Sequence, residues 1–498
     1  MIQVRTLTVD RSNWAEELTA ACHAGGPRYG HMTMRRDQDG RRRLEALILE
    51  PARGAARILS TWIPDGETEF PSVTDRLPAA HWGERAIGDY WGLKAFGHPR
   101  WKSLILHDAW PSGFHPFWQP SDGPSRPREY KFMSVHGDGV HEIPVGPVHA
   151  GIIEPGHFRF SCLGEVVANL EIRLGYQHRG IELRLAEVPW RHGRHIAESA
   201  SSDCAVANAL AHSIAIENLL NVEVPIRAQA LRTVALEIER LANHLGDLGS
   251  LCSDAGFAVG AAAFARLRGR VLGMGQTLSG TRFMKGFVCP GGIALAVGEE
   301  RCRRLVQDLQ ILKEDTQGAC KLMFGDPCLH ERMDGIGALP SGLAAEFGMV
   351  GPVARASGSS YDARLHFPHA LYPGLPIEAP HAATGDVLAR AVVRRKEVTV
   401  SCRVLEEVLD GMPDGPERTE IQGELPADAV GLGVVESWRG ELIHWITTDD
   451  QGGICRYAVR DPSFHNWTGL SIAVRHNLVA DFPLINKSFN LSYCGNDL

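Results

Sequence analysis

Nowhere in this 498-residue chain do two cysteines stand three residues apart, although it holds eleven of them. The closest two, Cys320 and Cys328, are separated by eight positions. The Cys-x-x-Cys spacing by which paired thiolates grip zinc, nickel or an iron–sulfur cluster is therefore absent. No run of about eighteen apolar residues occurs, which excludes a helix that crosses a bilayer. Met1-Ile2-Gln3-Val4-Arg5 leads into charged sequence without an apolar stretch behind it, which argues against a secretory leader. Positive charge is outnumbered, 51 Lys and Arg against 59 Asp and Glu. A formal charge of −8 and a pI near 6.3 are the reverse of what a phosphate backbone attracts, so no nucleic-acid partner is expected. A glycine-rich nucleotide loop is missing too, which leaves direct contact with NAD without support.

What the chain does have is an ordinary globular composition, 44% hydrophobic and 22% charged, and enough length for two or three domains. The first 125 residues mix short β-type runs, such as Leu44–Leu49 and Ala56–Ile63, with polar turns, which predicts a small α/β domain. Residues 110–130 are rich in Pro, Gly and Ser and form the expected linker to a second domain over 126–498. There the periodicity becomes helical. Leu231, Val234, Ile238, Leu241, Leu245 and Leu248 follow steps of three and four, the stripe of a helix in a bundle, with Pro225 near its start. Further helices are predicted at 203–220, 264–280, 299–323 and 384–412. Gly431–Glu436 and Glu441–Ile446 return to strand-like pattern. The fold class expected is α+β, a small α/β domain followed by a larger, mainly helical bundle with peripheral strands.

Gly146-Pro147-Val148-His149 followed by Glu154-Pro155-Gly156-His157-Phe158-Arg159 resembles the opening motif of a known large subunit. That subunit is shared by group 4, energy-converting [NiFe] hydrogenases and, more loosely, by the 49 kDa subunit of respiratory complex I. The resemblance continues through Tyr176-Gln177-His178-Arg179-Gly180, Ala211-His212-Ser213, Glu237-Ile238-Glu239-Arg240, Gly351-Pro352-Val353-Ala354-Arg355, Arg439-Gly440-Glu441 and Asp481-Phe482-Pro483. In the front domain, Glu84-Arg85-Ala86-Ile87-Gly88-Asp89-Tyr90-Trp91 and Phe96-Gly97-His98-Pro99-Arg100 resemble the complex I 30 kDa subunit. Fusion of the two is typical of group 4 large subunits.

In such hydrogenases two Cys-x-x-Cys pairs hold nickel and iron, because soft thiolates suit those metals. Alignment on Ala211-His212-Ser213 puts Ala205 and Asn208 at the first pair, and alignment on Tyr493 puts Ser492 and Gly495 at the second. The resemblance therefore implies a lost nickel site and no metal on this chain. Asp326-Pro327-Cys328 imitates the terminal motif but lies mid-chain, with Glu331 where a second thiol belongs. The sequence stops three residues past Gly495, so the extension that hydrogenases of this kind remove after nickel insertion is not expected. The precedent of complex I, where the cavity takes quinone, uses a tyrosine and a histidine. The tyrosine position falls near Ser202, and the histidine is either His149 or His157.

Several residues stand as candidates for a vestigial cavity. Glu154 occupies the place of a proton-relaying carboxylate and His157 follows it, while Arg355, Asp362 and Arg364 belong to a block that reaches toward the metal in the relatives. For each, a purely structural role is the alternative. Cys204 and Cys494 each lie one residue from a ligand position, so a residual thiol pair, redox-active or holding one adventitious metal, is expected if the fold is kept. Two unrelated buried cysteines are the alternative. His178 and Arg179 are expected to face a partner. The resemblance implies two partners, each like its counterpart in complex I: a small iron–sulfur subunit carrying a [4Fe-4S] cluster, and a membrane-arm subunit. NAD and quinone activity enter only as labels of the family. The place implied is cytoplasmic, peripheral on the inner membrane. An electron-transfer subunit without nickel is the leading reading. An active hydrogenase and a non-catalytic structural subunit are its rivals.

Overall fold

The computed structural model describes residues 2–498 apart from 24–25, 38, 108–109, 112, 119–129, 152 and 376. The boundary expected at 125/126 lies outside the described residues, as does most of the expected linker. The described part of that stretch is packed rather than loose. Trp110 stacks on Phe114 at 5.1 Å between centroids, and Phe117 lies 5.1 Å from Tyr90 and 5.7 Å from Trp91. Four aromatic side chains in nine residues outweigh the turn-forming Pro and Gly around them.

The front of the chain consists of β1 (Gln3–Thr8), α1 (Trp14–His23), β2 (Arg28–Arg36), β3 (Arg42–Glu50), β4 (Ala55–Ile63), β5 (Glu69–Pro71), α2 (His81–Trp91) and β6 (Lys94–Phe96). Four of these strands form a sheet in the order β1-β4-β3-β2, with β1 parallel to β4 and the other pairs antiparallel. An antiparallel meander follows, β7 (Val140–Val145), β8 (His157–Leu163) and β9 (Val166–Arg173). Then come α3 (Ile181–Glu187), α4 (Gly193–Ala197), α5 (Ala205–Leu220), α6 (Ile226–Asp254) and α7 (Ala258–Ser279). The short ladder β10 (Val288–Cys289) and β11 (Gly292–Ile293) precedes α8 (Glu299–Phe324), α9 (Pro327–Met333), α10 (Ser341–Glu346), α11 (Gly351–Ala356), α12 (Ala363–His366) and α13 (Val387–Asp410). The chain closes with β12 (Val430–Ser437), β13 (Gly440–Thr448), β14 (Ile454–Arg460), α14 (Ser463–Ala473), α15 (Phe482–Phe489) and α16 (Cys494–Asp497).

The predicted stripe on α6 is buried along its whole length, and Pro225 caps the helix as expected. Against α6 pack α5, α7 and α13. The sheet β12-β13-β14 lies between α5 and the front sheet, and its alternation explains how. A Cβ at Gly431 or Gly433 would strike the backbone carbonyls of Ala215 and Ala211, so these glycines let the strand lie directly on an alanine-rich helix. Leu432 and Val434 point the other way, into a cluster with Leu47, Leu49, Ala56 and Ile58 of the front sheet. The two expected domains thus share buried apolar surface. That packing fixes the start of α5, on which the candidate site is built. Among the described residues no helix is long and apolar enough to cross a membrane.

Candidate functional site

Cys204 ends a 3₁₀ turn over Ser202–Cys204, immediately before α5. The first amides of a helix lack partners within it. Here Val206 N–H and Ala207 N–H donate to the Glu239 carboxyl group on α6, at 2.7 and 3.1 Å. This pins the start of α5 against the bundle. The C-terminal segment 491–498 arrives at the same place. Arg179 ties the two together, donating to Ser199 O (2.6 Å), Ala200 O (2.9 Å) and Cys494 O (3.2 Å). Two hydroxyls join the turn to the C-terminal segment directly, with Ser201 Oγ 3.1 Å from Ser492 Oγ.

Each thiol has its own partner. Arg439 Nη1 donates to Cys204 Sγ at 3.4 Å, while Cys494 Sγ lies 3.4 Å from Ser492 Oγ with the Glu154 carboxyl group nearby. Both cysteines are free. Burial lifts the Cys204 thiol well above its ordinary range, helped by Asp203, and burial with Glu154 beside it pushes Cys494 up to about 12. At neutral pH both are therefore S–H groups rather than nucleophilic thiolates. Hydroxyls, rather than sulfurs, make the join. Arg439 also forks onto Asp203 at 2.7 and 2.6 Å. Partial burial opposes the charge of Asp203, but the guanidinium holds its carboxyl below the usual range.

The four positions aligned with metal ligands are all otherwise committed. Ala205 and Gly495 offer no donor atom. Asn208, fully buried, donates to Cys204 O (2.9 Å), and its Oδ1 accepts from His444 Nε2 (3.0 Å). Ser492 accepts from Gly495 N–H (2.9 Å) as well as meeting Ser201. At Gly495 there is no room, because a Cβ there would sit 2.6 Å from Asp461 Oδ2. Among the described residues no group of three or more His, Cys, Asp or Glu is placed to hold a metal ion. The residues present do not fit a nickel–iron centre. In the decoy, Asp326 accepts from Leu329 N–H at 2.9 Å and caps α9.

The structure separates the remaining candidates. Glu154 belongs to the join, since it also accepts from Tyr493 N–H at 3.2 Å. His157 and His178 line an open cleft of about 560 Å³ with His107, Trp110, Tyr130 and Phe132. His157 Nδ1 donates to Gly146 O (3.1 Å), which leaves Nε2 a buried lone pair without a hydrogen-bond partner among the described residues, and His178 Nδ1 donates to Asp497 O (2.8 Å). Burial lowers the His157 pKa, so the ring is neutral. Arg355, Asp362 and Arg364 do not reach the join. They form a wholly buried ionic cluster in which Arg355 meets Glu436 (2.7 Å), Glu397 (2.9 Å) and Asp362 (3.4 Å). Arg364 meets Asp362 (2.7 Å), Glu397 (3.0 Å) and Glu237 (3.5 Å). Among the described residues neither arginine hydrogen-bonds to Cys204 or Cys494, and each guanidinium is paired within the cluster, as burial of its charge requires.

Comparison with known proteins fits this architecture. The family model for the respiratory-chain NADH dehydrogenase 49 kDa subunit matches residues 254–429 and 421–497, and that for the 30 kDa subunit matches 7–125. Formate hydrogenlyase subunit 5 of Escherichia coli is 35% identical over 439 residues, 86% of this chain and 77% of that one. The chain belongs to the complex I and group 4 hydrogenase large-subunit family. Hydrogenase-4 component G of Escherichia coli is 34% identical, over 91% of this chain and 80% of the relative. A subunit in a structure of the membrane-bound sulfane sulfur reductase, an archaeal respiratory membrane complex, superposes with a TM-score of 0.68 at 26% identity. The match covers 72% of this chain and 99% of that one.

Asp203, Ser201 and Asp461 escaped the sequence reading of this family member. A serine or aspartate in a turn carries no periodic signal, and adjacency to Cys204 was the one cue that could have found Asp203. Two buried acids, one at the start of α5 and one in the ionic cluster, also predict a pH dependence. Burial raises Glu239 to about 8, and burial with Asp362 nearby raises Glu436 to about 7. Carboxyls with raised folded pKa values stabilise below their unfolded values, and that contribution is lost as pH rises through the folded ones. Unfolding free energy, read by urea titration, should therefore fall by about 1 kcal/mol per pH unit or more between pH 6 and 8. Glu239→Gln with Glu436→Gln should flatten that slope. A slope unchanged by both substitutions would contradict the assignment.

Proposed function

We propose that this chain is an electron-transfer oxidoreductase subunit that works without nickel in a membrane-associated, complex I-like or hydrogenase-4-like assembly. The observation that carries the reading is the occupation of all four aligned ligand positions. Asn208 and Ser492 are committed to protein hydrogen bonds, Ala205 has no donor, and Gly495 faces the Asp461 carboxylate. Electrons pass through a small iron–sulfur partner that docks near the His178–Arg179 rim, and a membrane-arm subunit couples their flow. The chain itself is peripheral on the cytoplasmic face. The cleft of about 560 Å³ beside His157 is where an acceptor would approach. NAD and quinone come from the family alone.

Glu154 is the working acid of this reading. It touches the Cys494 thiol and the Tyr493 amide, and a half-buried carboxyl beside an S–H group suits proton transfer during acceptor reduction. In the purified intact complex, nickel should stay below about one-tenth equivalent per chain, since a built metal site binds stoichiometrically. Reduced viologen would supply electrons, and a short-chain quinone or an inorganic sulfane sulfur donor would be offered as acceptor. Glu154→Gln should then slow turnover by about 10²-fold with assembly intact. One nickel per chain would restore the hydrogenase reading, and unchanged turnover in the variant would favour a structural subunit.

A further inference from the structure

The join between the two halves holds a continuous line of proton-carrying groups that extends away from Glu154. From Glu154 it runs through Cys494 S–H to Ser492 Oγ (3.4 Å), to Ser201 Oγ (3.1 Å) and to Asp203 Oδ1 (2.9 Å). Its far end reaches solvent. The Asp203 side chain is 38% exposed and lines a groove of about 450 Å³ with Asn243, Asp247, Arg268 and Asn490. Both hydroxyls are buried, at 0% and 1% exposure, so water does not compete for them.

The polarity of the line is fixed by its end. Asp203, ionised beside Arg439, can only accept, so the Ser201 hydroxyl donates to it. Ser201 Oγ then accepts from Ser492, whose own oxygen also accepts from Gly495 N–H (2.9 Å) and is free to accept from Cys494 S–H. With the Cys494 thiol turned from Glu154 to Ser492, every hydrogen points toward Asp203. Arg439 is a clamp and no part of the line, because a guanidinium does not give up its proton.

We infer that Ser492 and Ser201 form a second proton path, linking the Cys494–Glu154 pair to the solvent groove at Asp203. When Glu154 passes a proton to the Cys494 sulfur, the thiol proton moves to Ser492, that of Ser492 to Ser201, and that of Ser201 to Asp203. One bond to hydrogen forms and one breaks at each group, and no electron moves. Asp203 releases the proton to the groove, and the hydroxyls rotate back. A serine in a ligand's place thus does what neither a metal-bound thiolate nor an alanine does, since it both gives and accepts a proton. Use of the path in turnover rests on the oxidoreductase reading, but its existence does not.

The test follows the S–H infrared band of Cys494, identified by its loss in Cys494→Ser, as the full-length protein exchanges into D₂O. Glu154→Gln closes one outlet, and exchange should stay within about tenfold of the wild type; closing Ser201 as well, in Glu154→Gln/Ser201→Ala, should slow it at least about 100-fold, to the rate of local opening. Ser201→Thr in the same background, which keeps a hydroxyl, should restore fast exchange. If the Ser201→Ala variant fails to fold, Glu154→Gln/Ser492→Ala cuts the adjacent link and reads the same quantity. Equal rates with and without the serine cut, or full protection by Glu154→Gln alone, would overturn the path. Neither result bears on nickel content or turnover.

Discussion

Replacing Arg355 by alanine should cost the protein about 3–5 kcal/mol, the usual penalty for stripping one partner from a buried ion pair. Folded proteins hold only about 5–15 kcal/mol in reserve, so most of the folded yield should go with it. The side chain is 0% exposed and stands among Glu436, Glu397 and Asp362. Together with Arg364 and Arg240 it balances four carboxylates, the fourth being Glu237. Remove it, and two guanidinium groups face four acids in a wholly buried region. The raised pKa of Glu436, about 7, offers a partial escape, because this acid can take up a proton when its partner leaves. The loss should thus be smaller at pH 5 than at pH 8, and Arg355→Ala/Glu436→Gln should recover about 1–2 kcal/mol as a coupling energy between contacting residues. Urea unfolding of the single and double variants reads all of this. A single variant within about 1 kcal/mol of the wild type would show that the cluster is not the electrostatic keystone of the bundle.

That cluster also shows where sequence reading stops. Its members come from positions 237, 240, 355, 362, 364, 397 and 436, and no local pattern joins them. Arg355, Asp362 and Arg364 could be named only by resemblance, and whether they faced a cavity or one another depended on packing. By contrast, the α6 stripe and the strands over 431–436 and 441–446 were legible, because burial on one side leaves a period in the sequence. The meeting of the turn at Cys204 with the C-terminal segment followed from the family order of motifs. The link through Ser201 and Ser492 did not, since a hydroxyl acquires its role from the atom placed opposite it. The segment around Phe114 and Phe117 misled for the opposite reason, as its Pro and Gly spoke for a linker while Phe117 packed on α2 and Phe114 on Trp110.

Putting the four thiols back should not bring nickel back. In a variant with Ala205→Cys, Asn208→Cys, Ser492→Cys and Gly495→Cys, three of the changes meet a specific obstacle. Asn208→Cys strands the His444 Nε2 donor and the Cys204 carbonyl, and each buried group left unsatisfied costs about 1–3 kcal/mol. Ser492→Cys gives up the contact with Ser201 and weakens the bond from Gly495 N–H. Gly495→Cys places its Cβ 2.6 Å from Asp461 Oδ2, and Asp461 is held where it is by Ser463 N–H at 2.8 Å. A thiolate there would also lie against that carboxylate, and like charges at such range resist ionisation. The variant should lose about 4 kcal/mol or more by thermal or urea unfolding, since core changes of this kind cost about 1–3 kcal/mol apiece. Its nickel content, measured on the assembled complex, should stay below about one-tenth equivalent, because the metal binds thiolates that this acidic pocket keeps protonated. Adding Asp461→Ala removes both the steric and the electrostatic obstacle at 495, and should recover part of the lost stability. Stoichiometric nickel in the four-thiol variant with Asp461 intact would mean that the pocket is still a metal cradle, emptied only by its side chains and not by the packing of Asp461, Asn208 and His444 into the space.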